Sequence, residues 1–150
     1  MTKISASDAE TRHDISASHE QMPNGERRFR LIDGSGVGYI RTEAGPDGAW
    51  QNSHIHHSVL ETYVVQAGWI AVAQMSDSGE LILRMLRPAE VWTSGIDVAH
   101  NVYMSGGAIT HTVKHGQGDK ADWHTNPTTQ QLDRLTKTLT EPVIMSVAGR

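Results

Sequence analysis

The stretch 48–68, GAWQNSHIHHSVLETYVVQAG, gathers the residues of this chain best suited to holding a metal ion. His54 and His56 are two positions apart, so on an extended backbone both imidazoles leave the same face. Glu61 follows five residues after His56, the wrong parity for one continuous strand. A turn at residues 58–60 removes the difficulty. Glu61 then opens a new strand in which it faces inward with Tyr63 and Val65, opposite the two histidines. Two neutral imidazoles and a carboxylate suit Fe, Mn, Ni, Cu or Zn better than Ca or Mg. A fourth donor has to come from another strand on the same inner face. His100 is the candidate, because it follows a turn at 94–97 and begins the apolar alternation His100, Val102, Met104.

The elements that must position these residues read as short strands. Turn-forming clusters such as Asp33-Gly34-Ser35-Gly36, Gly45-Pro46-Asp47-Gly48, Ser76-Asp77-Ser78-Gly79 and Ser105-Gly106-Gly107 punctuate the chain. Between such turns lie runs rich in Val, Ile, Tyr and Trp at 62–66, 69–75, 81–86, 100–104 and 108–113. Many short strands at this spacing predict an all-β sandwich or jelly roll. Residues 1–25 read as a polar arm, mobile or packed on a partner subunit, ahead of a barrel over 26–126. Residues 127–150 form a C-terminal helix and tail. Pro127 suits the first turn of that helix, with Leu132, Leu135 and Leu139 on one side, as a lid across one end of the barrel.

Other titratable residues have weaker claims. His111 and His115 share the parity of Ile109 and Val113; they are candidates to line the cavity, although structural histidines are commoner. His57 faces outward beside His56. His111, Tyr63 and Lys114 are the catalytic candidates, and Arg41, Arg84, Arg87 and Lys114 are the cations available to a pocket mouth. Tyr63, Trp50, Trp69, Trp92 and Met104 serve equally as pocket wall or ordinary core. The glycines at 34, 36 and 38 lack the spacing of a nucleotide-binding loop and read as a hairpin turn.

Composition excludes several classes. With no cysteine, disulfides, zinc–cysteine sites and thiol nucleophiles are absent. A net charge of −4 without a basic face argues against nucleic acid as a partner. No apolar run approaches the roughly 20 residues that span a bilayer, and residues 1–20 contain no apolar signal-like stretch. A cytoplasmic protein with a small-molecule ligand or substrate, and no membrane partner, is expected.

The spacing Gly48-x5-His54-x-His56-x4-Glu61-x6-Gly68 resembles the first motif of the cupin superfamily at every defined position. The second motif is frayed around His100. Gly95 and Asp97 stand where proline and glycine are usual, Ala89 replaces an upstream glycine, and Met104 replaces an asparagine. The resemblance implies a double-stranded β-helix barrel, frequently a homodimer, with one divalent transition metal (Fe, Mn, Ni, Cu or Zn) per chain in the barrel mouth. It also implies either an enzyme of dioxygenase or of sugar or keto-acid isomerase type, or a non-catalytic metal- and ligand-binding module. Fold and ligands do not choose between these.

Overall fold

The computed structural model describes residues 1–148. A short helix, α1 (Ala6–His13), is followed by β1 (Ile15–Gln21), β2 (Arg27–Asp33), β3 (Gly38–Glu43) and the two-residue β4 (Ala49–Trp50). Then come β5 (Val59–Ala67), β6 (Ile70–Met75), β7 (Leu81–Leu86), β8 (Val91–Thr93), β9 (His100–Met104) and β10 (Ile109–Gly116). Two helices, α2 (Pro127–Thr136) and α3 (Glu141–Ala148), end the chain. The strands form a six-stranded sheet in the order β1-β2-β3-β10-β5-β8 and a four-stranded sheet β4-β9-β6-β7, with antiparallel pairing throughout. This is the all-β jelly roll expected from the strand spacing. Among the described residues no helix is long and apolar enough to cross a membrane.

The core lies between the sheets. Tyr63 and Val65 of β5 meet Ile70 and Val72 of β6, with Leu86, Trp92, Val102 and Met104 closing the layer. β6 is buried on both faces. Ile70 and Val72 point into the barrel, while Ala71 and Ala73 lie beneath α3 and α2. Small side chains on that outer row let helices approach closely, which explains the unbroken apolar run in the sequence.

The C-terminal helices therefore cover the outer face of the four-stranded sheet, not one end of the barrel. The helix does begin at Pro127, and it carries a capping box: the Asn126 side chain accepts the Thr129 N–H (2.8 Å), and Thr129 Oγ1 accepts the Asn126 N–H (2.9 Å). Of the three leucines only Leu132 is buried in α2; Leu135 is exposed, and Leu139 sits beyond the helix end. A second helix, α3, follows where only a tail was expected, and anchors through Ile144.

At the other end, residues 15–21 of the polar arm pair along their whole length with β2 of the same chain, and so extend the six-stranded sheet. α1 buries none of its residues. The glycine-rich segment after β2 is a hairpin turn, its Asp33 carboxylate accepting the Ser35 and Val37 N–H groups at 2.9 and 3.2 Å.

Candidate metal centre

His54 and His100 form a mutual antiparallel pair, each backbone N–H donating to the other's carbonyl at 3.1 Å. Cross-strand partners present their side chains on one face, and the two rings lie 4.4 Å apart. Ile55, between the two motif histidines, points away into the layer under α2. His56 therefore returns to the face of His54, as alternation requires. The turn falls at residues 57–58, slightly earlier than expected, and β5 begins at Val59. Val59, Glu61, Tyr63 and Val65 are buried on the inner face of β5, so the inward direction inferred for Glu61 holds. The Glu61 backbone is fixed by Ser94, whose Oγ accepts its N–H at 2.8 Å.

His54 Nε2, His56 Nε2 and His100 Nε2 lie 3.5, 3.4 and 3.6 Å from one atom, Glu61 Oε2. All four donors lie within 4.8 Å of one another, and all four residues are buried. The tautomers are set from behind. His54 Nδ1 faces the Asn52 carbonyl (3.0 Å), His100 Nδ1 the Val98 carbonyl (3.1 Å), and His56 Nδ1 the Asp122 carbonyl. A carbonyl only accepts, so each Nδ1 carries the proton, and in the neutral ring Nε2 presents a lone pair. Three lone pairs then point at a carboxylate. Among the described residues, His56 Nε2 and His100 Nε2 are buried without a hydrogen-bond partner.

A cation makes that arrangement favourable. Protons are one possibility: burial opposes ionisation of Glu61, but hydrogen bonds from charged His100, His54 and His56 would outweigh it and hold the carboxyl well below its usual range. Protonating all three rings, however, places three positive charges in one buried cluster. Burial already pushes the His54 pKa down, and the charge on His100 pushes it further. A divalent metal satisfies the same donors without that repulsion. Donors about 2.1 Å from a common ion at tetrahedral angles are separated by about 3.4 Å, close to the three histidine–Glu61 spacings. The residues present fit a metal.

The frayed second motif has two left-handed residues where glycine is usual. Ala89 and Asp97 stand at the two glycine positions, and both have left-handed φ values, 71° and 59°. Asp97 donates its N–H to the His56 carbonyl (2.8 Å) and pairs through its carboxylate with His57 Nδ1. Asparagine and aspartate tolerate that region better than most residues, whereas alanine there is strained.

Two of the catalytic candidates reach the cluster. Tyr63 donates its hydroxyl to Glu61 Oε2 at 2.8 Å, and Lys114 Nζ lies 3.7 Å from Glu61 Oε1. His111 does not. It faces outward from β10, bonded to the Tyr39 hydroxyl and the Gln66 side chain at 2.6 Å each. His115 bonds Thr62 Oγ1 at 2.8 Å. Arg41 holds Glu43 and Gln66 away from the cavity, and Arg84 and Arg87 are exposed. Trp92 and Met104 are core, Trp69 stacks on Tyr103, and Trp50 walls a cavity.

A small cavity of about 60 Å³ adjoins the cluster, lined by Thr42, Tyr63, Thr112, Gln51, Arg28 and Trp123. The last three, with His54, also line a wider outer cavity of about 280 Å³ whose rim includes Asn24, Trp50 and Asn52. Trp123 stacks on His54 with ring centroids 5.4 Å apart. Arg28, Gln51, Trp123 and Asp122 were not singled out from the sequence. For Arg28 the one sequence signal was the alternation of β2, which does not say which row faces in. There the charged Arg28 and Arg30 face the partly buried side, and the apolar Phe29 and Leu31 face out.

No protein-family model matches the sequence, and no curated protein does. Solved structures do resemble the fold. KdgF from Halomonas sp. superposes with a TM-score of 0.55 at 16% identity, over 68% of this chain and 88% of that one. An RmlC-like cupin from Shewanella frigidimarina NCIMB 400 gives 0.53 at 17% identity, over 67% and 93%. A mutant of Bacillus subtilis oxalate decarboxylase OxdC gives 0.58 at 12% identity, over 90% of this chain and 38% of that one.

Proposed function

On the premise that this chain has the cupin fold, we propose that it is a metal-dependent enzyme acting on a small oxygenated molecule, of dioxygenase or of sugar or keto-acid isomerase type. The carrying observation is the convergence of three Nε2 lone pairs on Glu61 Oε2 beside a cavity that opens outward. His54, His56, Glu61 and His100 would hold Fe, Mn, Ni, Cu or Zn. Bound there, the ion supplies a Lewis acid, or a centre for O2 chemistry, beside a chelating substrate.

The chain's own residues do the rest. The carbonyls of Asn52, Val98 and Asp122 fix the three ring tautomers. Tyr63 orients Glu61 Oε2, and burial with the neighbouring carboxylate raises its hydroxyl pKa well above the usual value. It therefore acts as a donor, not as a base. Lys114 balances the charge on Glu61 from the opposite oxygen. Trp123 covers one face of the His54 ring and lines both cavities.

Metal analysis of the purified protein, followed by O2 uptake and anaerobic turnover with small hydroxy-acids, keto-acids and sugars, tests the reading. Turnover that disappears in His56→Ala supports it. Stoichiometric metal with ligand-induced stabilisation but no turnover in either assay points to a binding module instead.

A further inference from the structure

Resting on the metal reading above, we infer that the cavity takes a small carboxylate, whose carboxyl group is held by Arg28 while its remaining oxygens face the His54–His56–Glu61–His100 cluster. Arg28 is fixed in place. Its Nε and Nη2 both donate to Glu26 Oε2, at 3.1 and 2.8 Å. Glu26 is itself 1% exposed. It accepts Gln51 Nε2 on both oxygens at 3.1 Å, and its backbone N–H donates to Asn24 Oδ1 at 3.2 Å.

This clamp uses one side of the guanidinium. The far edge, with Nη1 and the second Nη2 hydrogen, has no hydrogen-bond partner among the described residues, and Arg28 lines both the inner and the outer cavity. Two parallel N–H groups on a planar fork match the two oxygens of a carboxylate.

Charge points to the same ligand class. Around the cluster each anion already has a cation: Glu26 has Arg28, and Glu61 has Lys114. Asp122 faces the turn at residues 57–59, not the cavity. A divalent ion seated among the four donors therefore adds two positive charges that no protein group offsets. Such a surplus favours an anionic ligand over a neutral one. Thr42, Thr112 and Tyr63 wall the inner space beside Arg28 and the cluster.

The test is a calorimetric titration of the metal-loaded protein with malonate, lactate, inorganic phosphate and the uncharged polyol xylitol. Malonate or lactate should bind more tightly than phosphate or xylitol. Arg28→Gln should weaken that binding at least tenfold, about 1.4 kcal/mol, at unchanged metal content. Because Arg28→Gln leaves Glu26 buried without its cation, Glu26→Gln/Arg28→Gln, which removes both charges, is measured in parallel with the same expectation. Carboxylate affinity unchanged in either metal-loaded variant overturns the proposal and leaves the metal reading standing. So does failure of both carboxylates to bind the metal-loaded wild type, or tighter binding of phosphate or xylitol. A wild-type protein that takes up no metal overturns the metal reading, and this proposal with it.

Discussion

Asp122 grips His56 from both ends of its own residue. Its backbone carbonyl accepts the His56 Nδ1–H, and its carboxylate accepts the N–H groups of His57, Ser58 and Val59 at 2.8, 3.0 and 2.7 Å. One side chain thus shapes the turn between the histidine pair and Glu61, while its carbonyl sets a ring tautomer. It is 4% exposed, and His124 Nε2 lies 3.2 Å from Oδ1.

This predicts an acid-sensitive step in stability. Burial works against ionisation of Asp122, but the three backbone donors prevail and lower its carboxyl pKa below the ordinary carboxylate value. A folded value below the unfolded one means stability present above about pH 4 and lost as the pH falls further. Asp122→Asn should cost about 2 kcal/mol at pH 7 and flatten the decline below pH 4. Urea denaturation at several pH values measures both. An unaltered acid limb in the variant would remove Asp122 from this role.

The metal prediction is stoichiometric. Wild type should purify with or take up about one transition metal per chain, and His56→Ala and His100→Ala should each reduce that to near zero while keeping the β-sheet circular dichroism. Removing the ion with a chelator should lower the melting temperature. At a free metal concentration 100 times the Kd, the lost stabilisation is about 2.7 kcal/mol. Elemental analysis and thermal melts read both.

Tyr63 and Tyr103 should resist ionisation. Burial, and then the neighbouring Glu61, raise the Tyr63 hydroxyl pKa; burial and the 2.8 Å bond to Glu141 raise that of Tyr103. Their contribution to stability is full below about pH 10 and declines as the pH rises from there through the folded values. Phenolate absorbance from these two should therefore appear together with alkaline unfolding, not before it.

Ala89 offers a gain. Its φ of 71° is strained for alanine, and Ala89→Gly should raise stability by about 1 kcal/mol, less the entropy that glycine loses on folding. A lower melting temperature in that variant would show that the alanine methyl makes compensating contacts.

What the sequence revealed follows from distance along the chain. His54, His56 and Glu61 span eight positions, so spacing and parity carry them almost alone. His100 is remote but opens a strand of clear alternation. Asp122 lies 66 residues from the ring it orients, inside a loop with no periodicity, and nothing local connects the two. Arg28 shows a different limit. Alternation divides β2 into two rows, but it does not say which row faces in, and here the charged row does. His111 was placed with the row of Ile109 and Val113, and that row faces out; Thr110 and Thr112 are the buried ones. α1 has no buried face to leave a pattern, and α3 is too short for periodicity to separate it from a tail.

Glu61 belongs to the six-stranded sheet and His100 to the four-stranded one, with His54 paired to His100 across the opening. An ion gripped by both would act as a rivet through the two walls of the barrel. Slow hydrogen exchange in β5 and β9 would then rise and fall together with metal supply, and the lifetime of the folded chain would track how much metal its surroundings provide.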